Sequence, residues 1–70
     1  MIGTLINLSQ EFAISFHFAG SLIERGLYCG ACFDAWIGGC WLPTRIERIN
    51  NKWHLIGVNG VKLAGLMVRV

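Results

Sequence analysis

The chain has 70 residues, of which 54% are hydrophobic and 14% are charged, and its formal net charge is +2. We expect a single domain over residues 1–70 with a small core, because short chains bury a limited share of their surface. The apolar fraction exceeds what such a core can hide, which indicates a homo-oligomer or an apolar surface for a partner. The net charge is too low to indicate nucleic acid binding by itself.

A membrane protein is not expected from the distribution of charged residues. The longest stretch without Asp, Glu, Lys or Arg runs from Phe12 to Ile23, which is shorter than the ~20 residues of a membrane-spanning helix. No Lys or Arg precedes Arg25, so the pattern does not predict a signal peptide. We therefore expect a cytoplasmic protein whose three cysteines stay reduced or bind a metal.

The N-terminal part of the chain predicts two strands. Ile2 to Leu8 is rich in β-formers, and Glu11 to Phe18 alternates apolar and smaller or polar residues with a period of two. This alternation is typical of a strand with one buried face. Ala19-Gly20-Ser21 ends it, and Leu22 to Arg25 is interpreted as a helical turn or a loop.

The middle of the chain predicts two hairpins. A strand at Phe33–Ile37 reaches the pair Gly38-Gly39, and a second strand follows at Cys40–Ile49. Glycine tolerates the positive φ of a two-residue hairpin turn. Asn50-Asn51 is the next turn signal, since asparagine also tolerates the left-handed region. This register places Trp36 opposite Trp41, Phe33 opposite Thr44, Cys32 beside Arg45 and Glu47 opposite His54.

The remaining signals complete an all-β fold. We expect further strands at Lys52–Ile56 and Leu66–Val70, with a turn at Asn59-Gly60. Five or six short antiparallel strands favour a small, partly open barrel of the SH3-like type, because closure protects sheet edges. The alternative is a flat antiparallel sheet that dimerises.

Four motifs in the C-terminal part carry a resemblance to a known family. They are Leu27-Tyr28-Cys29-Gly30, Trp41-Leu42-Pro43-Thr44-Arg45-Ile46-Glu47, Trp53-His54-Leu55-Ile56-Gly57 and Leu63-Ala64-Gly65-Leu66-Met67-Val68-Arg69-Val70. From Leu27 onwards the chain resembles short uncharacterised proteins of phages and mobile elements of Gram-positive bacteria. His54 replaces an aromatic residue of that pattern, and Cys40 lies outside it. The resemblance implies a setting in which small proteins inhibit host machinery, as anti-CRISPR proteins do.

The spacing Cys29-x-x-Cys32 is one half of many zinc sites. Because Glu47 pairs with His54, the predicted register brings His54 near the end of the sheet that holds Cys29 and Cys32. Cys40 lies at the opposite end of its strand. The sequence therefore leaves two readings open, a zinc site at Cys29, Cys32 and His54 or packed thiols without a metal.

An outward face with Trp36, Trp41 and Arg45 is the preferred binding surface, and Arg48 is added to these residues when the ligand is nucleic acid or a nucleotide. Tryptophan and arginine dominate protein-binding hot spots, and they also form stacking platforms for nucleic acid or nucleotides. The alternative is that the N-terminal strand covers this face. We expect no enzyme, and we favour an inhibitor of a host protein, with a CRISPR nuclease as the specific partner. Nucleic acid or nucleotide binding is the alternative function, and a zinc-stabilised structural module is another.

Overall fold

The computed structural model describes residues 1–70 and contains seven strands and no helix. The strands are β1 (Ile2–Leu8), β2 (Glu11–Phe18), β3 (Ser21–Gly26), β4 (Cys32–Ile37), β5 (Cys40–Ile49), β6 (Lys52–Leu55) and β7 (Met67–Arg69). The prediction of a mainly β protein is confirmed, with seven strands in place of five or six. Nothing in the structure has the length and apolar character of a membrane-crossing helix.

All seven strands form one antiparallel sheet in the order β3-β2-β1-β7-β4-β5-β6. Two three-stranded meanders, β1–β3 and β4–β6, lie on either side of the last strand, and β7 pairs with β1 and with β4. The edge strands β3 and β6 do not pair with each other. The sheet is therefore not closed into a barrel, and this corrects the predicted partly open barrel of the SH3-like type. The alternative of an unclosed antiparallel sheet agrees with the strand order, and its dimerisation stays a prediction.

The two predicted hairpins and their registers are confirmed. Gly38 and Gly39 have φ values of 62° and 84°, and Asn50 and Asn51 have φ values of 52° and 62°. Positive φ at both central residues is the requirement of a type I′ turn, whose twist suits a hairpin. The first turn places Ile37 opposite Cys40, and the second places Ile49 opposite Lys52.

The prediction of a helical turn or loop at Leu22–Arg25 is wrong, because this segment lies within β3. Ala19 and Gly20, with φ values of 51° and 80°, form the turn that leads into it. In β3 only Ile23 is half-buried and all other residues are exposed. An edge strand with so little burial shows no alternation in its sequence.

The core lies on one face of the sheet, which we call the inner face. Its buried hydrophobic residues are Leu5, Phe12, Ile14, Phe16, Ala31, Phe33, Ala35, Ile46, Leu55 and Val68. The long connection between β6 and β7 packs against this core through three half-buried side chains, Val58, Leu63 and Leu66. The predicted turn at Asn59-Gly60 falls in this connection, where Gly60 has a φ of 74°, and does not join two paired strands. The opposite face of the sheet is called the outer face.

The sheet curls so that its two meanders meet at one end. The Trp53 indole Nε1–H of β6 donates a 2.9 Å hydrogen bond to the carbonyl oxygen of Gln10, in the turn between β1 and β2. The Trp53 ring also meets the Phe12 ring edge-on, with centroids 6.3 Å apart. Side chains thus join the tips of the β1–β2 and β5–β6 hairpins, where the backbones do not pair.

Candidate functional site

Trp36 and Trp41 form an exposed aromatic pair on the outer face. They lie directly opposite each other in β4 and β5, as predicted, with ring centroids 5.2 Å apart and an interplanar angle of 65°. Trp36 is 39% exposed, and Trp41 is half-buried. The alternative that the N-terminal strand covers this pair is wrong, because β1 lies within the sheet beside β7.

Arg69 and Asp34 extend the aromatic pair into a polar and aromatic cluster. The Arg69 guanidinium carbon lies 4.6 Å from the centroid of the Trp41 ring, within the range of a cation–π interaction. Its Nε and Nη2 groups donate to Asp34 Oδ2 at 3.2 Å and 2.9 Å. We call Asp34, Trp36, Trp41 and Arg69 the outer-face cluster; three adjacent strands, β7, β4 and β5, position it.

Apolar side chains continue the cluster across the sheet. Ile2 lies opposite Arg69 and is 57% exposed. Met67 is 39% exposed, and the β4–β7 register continues to place it beside Trp36. A cleft of about 530 Å³ adjoins the cluster and is lined by Met1, Cys32, Phe33, Asp34, Pro43, Thr44, Arg69 and Val70. The outer face therefore combines an aromatic pair, exposed apolar side chains around it and a cleft beside it.

The predicted binding residues do not share one surface. Arg45 lies opposite Cys32 on the outer face, and its Nε is 3.5 Å from Glu47 Oε1. Arg48 lies opposite Trp53 on the other side of the sheet, with its guanidinium carbon 5.9 Å from the Trp53 centroid. The grouping of Arg48 with Trp36 and Trp41 is wrong. Arg48 is seven residues from Trp41 on β5, and side chains an odd number of residues apart on a strand point to opposite faces.

Arg69 is the functional candidate that the sequence prediction missed. Local alternation in Met67-Val68-Arg69 predicts that Arg69 and Met67 share a face, and Val68 between them is fully buried. The placement of β7 beside β4 depends on a pairing that no local signal specifies. Arg69 therefore lay outside the predicted surface even though its strand was recognised.

The three cysteines are free and exposed. Cys32 is paired with Arg45 and Cys40 with Ile37, so the two thiols lie at opposite ends of the β4–β5 hairpin, as predicted. The Cys29 Sγ accepts a 3.4 Å hydrogen bond from the backbone N–H of Arg48.

The predicted pairing of Glu47 with His54 is also present. No group of three His, Cys, Asp or Glu side chains is arranged to hold a metal ion. Zinc binding by Cys29, Cys32 and His54 would require these side chains to move together, and it stays a prediction.

The fold and the outer face define a small all-β module with an open sheet and an exposed aromatic cluster. Residues 3–70 match the family model DUF5348, described as a domain of unknown function, and the chain belongs to this family. The match begins at Gly3, whereas the motifs of the predicted resemblance begin at Leu27. It confirms a domain of unknown function, and an origin in phages or mobile elements stays a prediction.

The chain is similar to a protein from Ruminococcus gnavus whose crystal structure was solved by a structural-genomics consortium. The two sequences are 38% identical. The match covers all of both chains with a TM-score of 0.81. Comparison with curated proteins gives no match.

Proposed function

We propose that this protein is a non-enzymatic binding module that docks a partner protein on the outer-face cluster. The observation that carries the proposal is the exposed Trp36–Trp41 pair, fixed on one side by Arg69. Tryptophan and arginine are enriched at the residues that contribute most to protein–protein affinity. Exposed Ile2 and Met67 enlarge the apolar area around them, which favours a protein surface as the ligand.

The charge around the cluster favours protein over nucleic acid. Arg69 is already paired with Asp34, and Arg45 with Glu47. Arg48, which carries no such pair, lies on the other side of the sheet. A stacking platform for single-stranded nucleic acid normally has a positively charged groove beside it, whereas the two arginines nearest the tryptophan pair on the outer face are both in ion pairs.

The partner class follows from the resemblance to proteins of phages and mobile elements. In that setting the partner is a host protein in the bacterial cytoplasm that the element inhibits, with a CRISPR nuclease as the specific candidate. Inhibition would proceed by occupying a surface of the partner, without a chemical step. A dimer formed through the same face is the competing arrangement.

The test measures binding of the purified protein to a Cas9-type nuclease by calorimetry. We expect Trp36→Ala to weaken binding about 30-fold or more, because a central hot-spot residue contributes about 2 kcal/mol or more. The matched control is Tyr28→Ala, which removes an aromatic side chain that is 72% exposed and outside the cluster. This variant should bind as the parent protein does.

Two further measurements separate the alternatives. Absence of any complex with the nuclease would remove that partner. A native mass of a dimer that Trp36→Ala converts to a monomer would show self-association in place of docking to a foreign protein. Binding of a single-stranded oligonucleotide that falls steeply with added salt would identify phosphate contacts and overturn the choice of a protein ligand.

A further inference from the structure

A second cleft lies between the tips of the β1–β2 and β5–β6 hairpins, away from the outer-face cluster. Its volume is about 500 Å³, and its lining residues are Asn7, Ser9, Gln10, Phe12, Arg48, Asn51 and Trp53. The hydrogen bond from Trp53 to the Gln10 carbonyl closes one side of it. The walls of the cleft are therefore contributed by two hairpins that are distant in sequence.

The inner face, which is apolar elsewhere, carries exposed polar side chains where it reaches this cleft. In β1, buried Leu5 is followed two residues later by exposed Asn7, and in β5 buried Ile46 is followed by exposed Arg48. Residues two apart on a strand share a face, so both polar side chains stand on the face that is apolar elsewhere. The register confirms this, since Asn7 pairs with Phe12 and Arg48 with Trp53.

The cleft contains one cation, Arg48, and no acidic residue, and the side chains of Arg48, Asn7 and Asn51 have no hydrogen-bond or ion-pair partner within the protein. None of its lining residues is Asp or Glu, and Arg48 belongs to neither ion pair of the protein. No intramolecular hydrogen bond uses the side chains of Asn7, Asn51 or Arg48. The guanidinium and the two amides are thus available to a ligand.

We propose that this cleft binds a small polyhydroxylated anion, such as a sugar phosphate or a sugar acid. The planar guanidinium of Arg48 matches the geometry of a phosphate or carboxylate. The amides of Asn7 and Asn51 each supply donors and an acceptor, which suits neighbouring hydroxyl groups. The half-buried ring of Trp53 gives an apolar wall for the carbon–hydrogen face of a sugar ring. A few convergent polar groups beside aromatic side chains are typical of small-molecule sites.

The experiment follows the indole N–H signal of Trp53 in nuclear magnetic resonance spectra of the labelled protein. The probes are glucose 6-phosphate, glucuronate, glucose and inorganic phosphate. We expect saturable shifts at Trp53 and Asn51 with the two anionic sugars and weaker binding of glucose and of inorganic phosphate. Comparison of glucose 6-phosphate with glucuronate shows whether phosphate or carboxylate is preferred.

Arg48→Gln should weaken binding of the preferred anionic sugar about tenfold or more, since the charged hydrogen bonds to the oxyanion are lost. Arg45→Gln is the matched control, because it removes the same charge three residues away on the other face. An equal loss in both variants, or no shift at Trp53 with millimolar anionic sugar, would overturn the proposal. Unchanged spectra away from the cleft verify that Arg48→Gln is folded.

Discussion

Gly3 shows at the scale of a single residue how closely β1 and β2 pack. A Cβ atom at this position would lie 2.7 Å from Ile14 Cγ2 and 2.7 Å from the carbonyl oxygen of Ser15. Both atoms belong to β2, whose backbone is held by its pairing with β1. We expect Gly3→Ala to lower the free energy of unfolding by about 1–3 kcal/mol through overpacking, as measured by urea denaturation.

Gly26 provides the matched control for this prediction. A Cβ atom there has no heavy atom within 4 Å, and Gly26 ends the exposed edge strand β3. Gly26→Ala should leave the stability within about 0.5 kcal/mol or raise it slightly, because alanine restricts the unfolded chain. Equal destabilisation by both substitutions would contradict the close approach at Gly3.

The face of the sheet on which a side chain lies could be predicted wherever the pairing register of its strand was known. Two turn signals fixed the positions opposite Trp36 and Glu47, and both pairings are present. The error at Arg48 came from treating all nearby cations as one surface, although its odd spacing from Arg45 already places it on the other face. The sequence thus contained the information for Arg48 but not for Arg69, whose neighbours depend on a distant strand.

Strands could be predicted where the sequence shows apolar alternation or a hairpin-turn motif, and they could not where it shows neither. β2 carries the alternation Phe12, Ile14, Phe16, and its bounds match the prediction. β5 follows a turn that only glycine or asparagine accepts readily, and its bounds also match. β3 has neither signal, because one face of an edge strand gains little burial and its residues are free to be polar.

At the scale of secondary-structure elements, the side-chain contact between the β1–β2 and β5–β6 hairpins joins the two ends of the curled sheet. Trp53→Phe keeps an aromatic ring beside Phe12 but removes the N–H that donates to Gln10. We expect this variant to lose about 0.5–1.5 kcal/mol more stability than Trp41→Phe, since it also loses a hydrogen bond. Urea denaturation of both variants measures the difference. Equal losses would mean that water replaces the indole at the Gln10 carbonyl without cost.

At the scale of the whole molecule, the last strand in sequence holds the middle position of the sheet. The strand order places β7 between β1 and β4, with three strands on either side. The pairing of Ile2 with Arg69 joins the two ends of the chain. Such a pairing cannot be deduced from local periodicity. Without it, the protection of sheet edges favoured a partly open barrel over the alternative of an open sheet. Contacts between distant residues also predict slow folding, because the chain must close a long loop before they form.

Val68 tests whether the two meanders unfold as one unit. Its side chain is fully buried in the central strand and lies beside Gly3 on one neighbour and Ala35 on the other. Val68→Ala should lower the free energy of unfolding by about 2–3 kcal/mol, since it opens a cavity between small neighbours. Val70→Ala makes the same change at a residue that is 43% exposed and should cost less than about 0.5 kcal/mol.

The position of β7 also predicts how the Val68→Ala variant unfolds. Circular dichroism reports on all strands, whereas tryptophan fluorescence reports on β4 and β5 through Trp36 and Trp41. Trp53 is replaced by Phe in this experiment, because it also contacts the β1–β2 hairpin. Because β7 is the strand through which the meanders pair, both signals should change at the same, lowered urea concentration, as a two-state transition requires. Separate transitions would show that the β4–β6 meander persists without β1–β3, and that the core shared across β7 does not make the sheet cooperative.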